Sequence, residues 1–309
     1  MKKFLIRFGY FLVAMFFIFN ILIIIQAYKT SRFQEIPVSG IPQKQSLSSF
    51  IFTGLNLYKK KIDTLPSVPF KTIYLTNDIG QKLEAWYIPA KNARGTVLLF
   101  HGHGSSKGKI LPETEYFNKL GYNAFSIDFR AHGNSEGEKC TIGYDETGDI
   151  KAAYDWVEKT GEKNKVLWGV SMGAACLLKA IPQYHLKPQK LILECPFGSM
   201  EDAVNGFLRK MKIPTPVLSE ELLFWGSAIN GMWGYNYLPI DYAKEIRMPV
   251  LLNWGKKDNR VLRNETESIY QNLATKDKKL VIYNYSGHQS YCRNEPLKWK
   301  ANIAGFLLK

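Results

Sequence analysis

The chain has 309 residues, 46% of them apolar and 22% charged, proportions that suit a globular core and exclude a disordered tail, a collagen repeat or a disulfide mini-scaffold. The formal net charge is +14; five of the basic groups and no acidic ones fall in residues 1–32, so the remainder carries +9. Its lysines are scattered, with no arginine-rich or aromatic-interleaved stripe. This argues against nucleic acid as a partner and reads as a basic solvated surface, with attraction to anionic lipid headgroups as the alternative.

In chain order, Lys2, Lys3 and Arg7 form a basic flank (1–7) before an apolar run, 8–25, broken only by Gly9 and Asn20. Eighteen residues at helical rise reach about 27 Å, close to the hydrocarbon thickness of a bilayer. A cleaved signal peptide has a shorter apolar core and a small-residue cleavage site, whereas Ala27 is preceded two positions back by Ile25. The expectation is a transmembrane signal anchor over 8–27. The positive-inside rule then favours a cytoplasmic N-terminus and an extracytoplasmic catalytic domain, although Lys29 and Arg32 beyond the span narrow the asymmetry. Residues 28–69 read as a connector. Within it, 47–62 has the pattern of an amphipathic helix that packs on the domain or lies on the membrane.

From residue 70 the pattern changes. Two alternating stretches, 71–76 and 83–88, flank the turn Asn77-Asp78-Ile79-Gly80. Short apolar runs follow at 96–100, 124–127, 165–168, 191–194, 250–253 and 280–283, the form taken by parallel strands buried on both faces. Helices fill the intervals: one from Pro112 to Gly121, proline opening and glycine closing it, another over 144–160 with Ile150, Tyr154 and Val157 on one face. Strand–helix alternation predicts an α/β fold with a mainly parallel sheet, here over 70–309. The rhythm breaks only at an apolar helical insertion, about 196–246.

Gly169-Val170-Ser171-Met172-Gly173 lies between a predicted strand and a predicted helix. The bare Gly-x-Ser-x-Gly pattern arises by chance on the order of 0.1 times in such a chain, so the strand–turn–helix setting decides its meaning. There it is a nucleophile elbow, with Ser171 in a strained turn and Gly169 and Gly173 small enough to avoid collision. A serine hydroxyl needs a base, and the base an acid to hold its tautomer. Of five histidines, His288 follows the last predicted strand and is the expected general base; His185 reads as surface, and His101, His103 and His132 fall in earlier loops. Asp258, after the penultimate strand, is the expected acid, with Glu194 as substitute. The backbone N–H groups of His103 and Met172 are the expected oxyanion donors.

The segments FHGHGSS, DFRAHGNSEG, TIGYDETGDIKAAYDWV, LWGVSMGAA, LECPFGSM, WGKKDNRV and SGHQSY, in order over about 70–309, resemble the α/β-hydrolase superfamily, in particular its membrane-associated Bem46-like and ABHD12/ABHD13-like branch. The resemblance implies an eight-stranded, mostly parallel sheet flanked by helices, its first strand pair antiparallel, and a cap over the active site. It also implies hydrolysis of an ester, thioester or amide by Ser171, Asp258 and His288, with Asp128 and Arg130 as structural loop anchors. The insertion at 196–246 carries no signature that names a substrate; lipid or acylated small molecules are the expected class.

Other chemistries fit less well. A dinucleotide fingerprint would need glycine where Lys107 stands, and Gly108-Lys109-Ile110 fails the phosphate-loop pattern. His101-x-His103 lacks the further ligands of a dinuclear metal loop, so neither metal nor organic cofactor is implied. Cys140, Cys176, Cys195 and Cys292 follow no metal-ligand spacing; Cys140 and Cys292 are the pair that an exported domain would join as a disulfide. Peptide or amide cleavage on the same triad, and a catalytically inactive membrane scaffold, are the alternatives to esterase activity.

Overall fold

A computed structural model describes residues 1–37, 40, 45–60, 62–215 and 217–308. Its centre is a sheet of eight strands: β1 (Lys71–Thr76), β2 (Lys82–Ile88), β3 (Thr96–Phe100), β4 (Asn123–Ile127), β5 (Lys165–Val170), β6 (Lys190–Glu194), β7 (Val250–Gly255) and β8 (Lys278–Tyr283). They lie in the order β8-β7-β6-β5-β3-β4-β2-β1. The β1–β2 and β2–β4 pairs are antiparallel and the rest parallel. The six expected apolar runs and the antiparallel pair are all strands of this sheet.

Strand β3 is buried along its whole length because both faces of the sheet are covered. Leu98 and Phe100 enter one core and Val97 and Leu99 the other, the period-two alternation of an extended chain. On the first face lie α4 (Thr147–Lys159), α5 (Met172–Gln183) and α9 (Arg263–Asn272), contributing Ile150, Leu177 and Ile269. On the second lie α3 (Leu111–Lys119) and α11 (Pro296–Leu307), contributing Phe117 and Trp299.

Between β6 and β7 the insertion folds as α6 (Met200–Met211), α7 (Val217–Asn230) and the short α8 (Pro239–Tyr242); Pro216 lies outside the described residues. The N-terminal run forms α1 (Lys2–Thr30), long and apolar enough to cross a membrane. Residues 1–19 are exposed along it, whereas Ile23 and Ala27 are buried. Its last turns pack on α7 and on α2 (Leu47–Thr53). Trp225 Nε1 of α7 donates to Asn20 Oδ1 at 3.2 Å, and Arg32 to Asn230 Oδ1 at 2.7 Å.

Three expectations change. The helix expected over 47–62 ends at Thr53, and Leu57–Tyr58 instead pairs in parallel with Phe33–Gln34. Gly54 ends it with φ 76°, and a Cβ there would sit 2.7 Å from Lys29 Cγ of α1, so glycine lets the two helices meet. Residues 38, 39, 41–44 and 61 of the expected connector lie outside the described residues. The helix expected over 144–160 begins at Thr147, because Glu146 is occupied in accepting from Thr141 N and Gly143 N. Cys140 and Cys292 are free and buried, with Cys140 Sγ against Met172 Sδ at 3.7 Å, so no disulfide joins them.

Candidate active site

Register sets the site level. Phe100 pairs with Gly169, Val170 with Glu194, Glu194 with Asn253, and Gly255 with Tyr283. The carboxyl ends of β3, β5, β6, β7 and β8 therefore open onto one rim, where ligands bind in open α/β sheets.

Ser171 stands between β5 and α5 with φ 53° and ψ −116°, a backbone conformation that costs an ordinary residue roughly 1–3 kcal/mol. Its N–H donates to Glu194 O at 2.8 Å, pinning the turn to β6. A Cβ on Gly169 would lie 2.7 Å from Gly173 C, and one on Gly173 only 2.3 Å from Phe100 O. Both contacts are with backbone, so the turn admits only glycine at these places.

His288 and Asp258 meet Ser171 from the neighbouring loops. His288 Nε2 lies 2.9 Å from Ser171 Oγ, and its Nδ1 lies 2.8 Å from Asp258 Oδ2. Asp258 Oδ1 accepts from Arg260 N at 2.8 Å and Val261 N at 2.9 Å, which fixes the carboxylate. The His288 loop is clamped in turn: Glu295 Oε1 accepts from Tyr285 N, Ser286 N and Ser286 Oγ. Cys195 joins Asp258 and His288 in a cluster whose donor atoms lie within 4.8 Å of one another. Burial pushes its thiol well up, and both His288 nitrogens are already bonded, so this donor set suits a proton relay better than a cation.

The loop after β3 lies against Ser171; a Cβ on Gly102 would be 3.3 Å from Ser171 Cβ. Two histidines brace it. His101 Nε2 accepts from Phe129 N at 3.1 Å while Nδ1 faces Gly102 O, and His132 Nε2 accepts from Gly104 N at 3.0 Å while Nδ1 faces Arg130 O. Burial holds both rings neutral, pushing them down to about 4 and about 3, the state in which one nitrogen can accept. His103 is likewise pushed down to about 3 by burial, and its ring lies against Phe33. The amide of Met172 opens α5, where a helix has no internal acceptor for its first N–H groups.

Glu194 is elsewhere engaged. Its Oε1 accepts from Trp299 Nε1 at 2.6 Å, Trp168 Nε1 at 3.1 Å and Asn253 Nδ2 at 3.3 Å, with no bond to His288. Burial first, opposed by these donors, pushes it up to about 8. Asp128 accepts from Lys107 Nζ, from Lys107 N at 2.7 Å and from Asn134 N at 2.9 Å, and Arg130 Nε donates to Asp149 Oδ1 at 2.9 Å. Both hold loops and neither faces Ser171. His185 sits in the turn after α5, away from the cluster.

Two cavities open on Ser171. One, of about 100 Å³, is walled by Ile142, Phe197, Val204, Phe207, Leu223 and Met232, and also by Ala27 and Thr30 of α1. The other, of about 230 Å³, is the more polar of the two and holds Lys109, Glu113, Glu194, Ser290 and Arg293. Sequence reasoning missed Arg260, which lines both, and Glu113, whose Oε1 accepts from Ser290 Oγ. Arg260 stands two residues past Asp258 and was in reach of a motif reading; Glu113 inside a helix carried no local signal.

The comparisons with known proteins fit this geometry. Residues 91–227 match the family described as serine aminopeptidase, S33. The uncharacterized protein YfhR of Salmonella typhi is 30% identical over 228 residues, covering 69% of this chain and 72% of that one. The chain belongs to the α/β-hydrolase superfamily. This hydrolase is also 30% identical over 124 residues to the lysophosphatidylserine lipase ABHD12 of Danio rerio, covering 38% of this chain and 32% of that one. The Pyrococcus furiosus esterase Pf2001 shares its fold with a TM-score of 0.69 at 24% identity, covering 82% of this chain and 97% of that one.

Proposed function

We propose that this hydrolase is a membrane-anchored serine esterase working through an acyl-enzyme on Ser171. The observation that carries the reading is the chain Ser171 Oγ–His288 Nε2 at 2.9 Å and His288 Nδ1–Asp258 Oδ2 at 2.8 Å, mounted on a strained elbow. Ser171 Oγ attacks the carbonyl carbon as its proton passes to His288 Nε2. Asp258 holds the imidazole and stabilises its positive form. The amides of His103 and Met172 receive the oxyanion. The bond to the leaving oxygen breaks as His288 returns the proton to it; water, deprotonated by His288, then attacks the acyl-enzyme, and the acyl–Ser171 bond breaks as His288 passes that proton to Ser171 Oγ, releasing the acid. Every atom in this cycle comes from the chain, the substrate or water, so no cofactor takes part.

The apolar cavity favours an ester over the peptide suggested by the description of the matching family. An aminopeptidase must hold a free ammonium, and no carboxylate lines this cavity among the described residues. The carboxyls of the polar cavity are poor substitutes: burial pushes both Glu113 and Glu194 up, toward the neutral form. Helix α1 serves as the anchor, with its N-terminus cytoplasmic and the catalytic domain on the far side; reporter fusions at each end would read this topology.

A fluorophosphonate probe tests the chemistry, with p-nitrophenyl esters set against peptide amides for class. The wild-type chain labels and turns over esters faster than amides, and Ser171→Ala does neither. Equal labelling of wild type and Ser171→Ala, or no labelling of either, sinks the reading and leaves an inactive scaffold of this fold.

A further inference from the structure

The apolar cavity at Ser171 does not end at the cap. A second apolar cavity, of about 200 Å³, lies beside it, and Thr30, Phe207 and Leu222 line both. Its walls come from three places: Phe19, Leu22, Ile23 and Gln26 of α1, Phe50 and Ile51 of α2, and Leu208, Ile213 and Leu218 of the cap. The polar side chains in this wall are turned onto backbone. Gln26 Nε2 donates to Phe50 O at 2.7 Å and Thr30 Oγ1 to Gln26 O at 2.8 Å. What faces the cavity is therefore hydrocarbon, which favours an apolar occupant over water.

The occupant is set by where the cavity lies. Phe19, Leu22 and Ile23 belong to the stretch of α1 that matches the thickness of a bilayer. Around them the partner elements expose large apolar side chains, Ile51 and Phe52 on α2 and Val217 and Phe224 on α7. In water such exposure is unfavourable; against lipid it is the expected surface. The other cavity at Ser171 is more polar, with Lys109, Glu113, Ser290 and Arg293 among its walls. An amphiphile laid across Ser171 thus finds hydrocarbon on one side and hydrogen-bonding groups on the other, with its ester at the nucleophile.

We propose that the long acyl chain of a bilayer-resident ester enters sideways from the membrane, along the seam between α1 and the cap, and lies past Thr30, Phe207 and Leu222 to reach Ser171. Helix α1 is then a wall of the substrate site as well as a tether. The polar leaving group occupies the cavity of Glu113 and Ser290. This rests on Ser171 being the nucleophile.

The test uses the full chain in phosphatidylcholine proteoliposomes and reads the ratio of p-nitrophenyl palmitate to p-nitrophenyl acetate turnover. Leu222→Trp narrows the junction and lowers that ratio by roughly ten-fold or more, as steric discrimination along an apolar pocket allows. A ratio within two-fold of wild type, or equal loss on both esters, overturns the seam route. Should Leu222→Trp not fold, Gly226→Leu takes its place; a Cβ there meets no atom within 4 Å, and the added side chain narrows the cavity from α7. A second readout is independent of catalysis. Ser171→Ala is loaded with a diazirine-bearing palmitate and irradiated, and crosslinks are expected on residues 19–30 and 207–222. Crosslinks confined to other segments overturn the proposal even where the esterase reading stands. Crosslinks on these segments without ester turnover would uphold the lipid seam and remove the esterase.

Discussion

Glu194→Gln tests the buried carboxyl at the end of β6. Burial, opposed by three donors on Oε1, raises its pKa from 4.5 to about 8. Between those values the folded chain holds one proton more than the unfolded chain. The stability this group contributes is therefore full below pH 4.5 and is lost as pH rises through 8. The loss runs at about 1.4 kcal/mol per pH unit, roughly 5 kcal/mol across the whole window. Glutamine keeps an oxygen for Trp168, Trp299 and Asn253 but cannot ionise. Thermal unfolding of both proteins in detergent at pH 5, 6.5 and 8 isolates the group, because other titrations cancel in the difference. Wild type minus variant should fall with rising pH, by about 1.5 °C for each kcal/mol in a chain of this size. A difference that stays flat from pH 5 to 8, or that climbs, would falsify the assignment of a raised pKa to Glu194.

Other outcomes follow from the same geometry. Asp258→Asn should lower kcat on esters by roughly 10³–10⁴-fold while melting close to wild type; retained turnover would remove Asp258 from the relay, and Glu194, bonded to two tryptophans, is not placed to replace it. Gly173→Ala drives a methyl to 2.3 Å from Phe100 O; overpacking of this kind costs about 1–3 kcal/mol. Both melting temperature and fluorophosphonate labelling should drop, and unchanged labelling would mean the elbow is looser than described. Dithiothreitol should leave the melting temperature unmoved, since all four cysteines are free; a reductant-dependent fall, or a mobility shift on a non-reducing gel, would contradict this.

Much of the sheet was legible because its signals are short-range. A buried parallel strand is a run of four to six apolar residues, and each of 96–100, 165–168 and 250–253 announces itself without its partners. Ser171, Asp258 and His288 were legible for a related reason. Each lies within a few residues past a strand end, so knowing the strands almost fixes which side chains reach the rim. Glycines 169 and 173 completed the pattern, since backbone contacts at 2.7 and 2.3 Å leave room for no other residue.

What lay beyond the sequence depends on elements far apart in the chain. Helix α1 reads as an apolar span whatever it touches, yet the closeness of Thr30 to Leu222 exists only once the cap has folded onto the last turns of α1. The partners of Glu194 were equally hidden: Trp168, Asn253 and Trp299 come from β5, β7 and α11. Burial there turns a candidate acid into a carboxyl that stays protonated near neutrality. The sequence by itself determined which segments become strands and which residues stand at their carboxyl ends, because local periodicity and turn chemistry act over a few residues. Which helix walls the pocket, and which buried carboxyl keeps its proton, only the tertiary structure decided, since cavities and desolvation are properties of surfaces that meet across the chain.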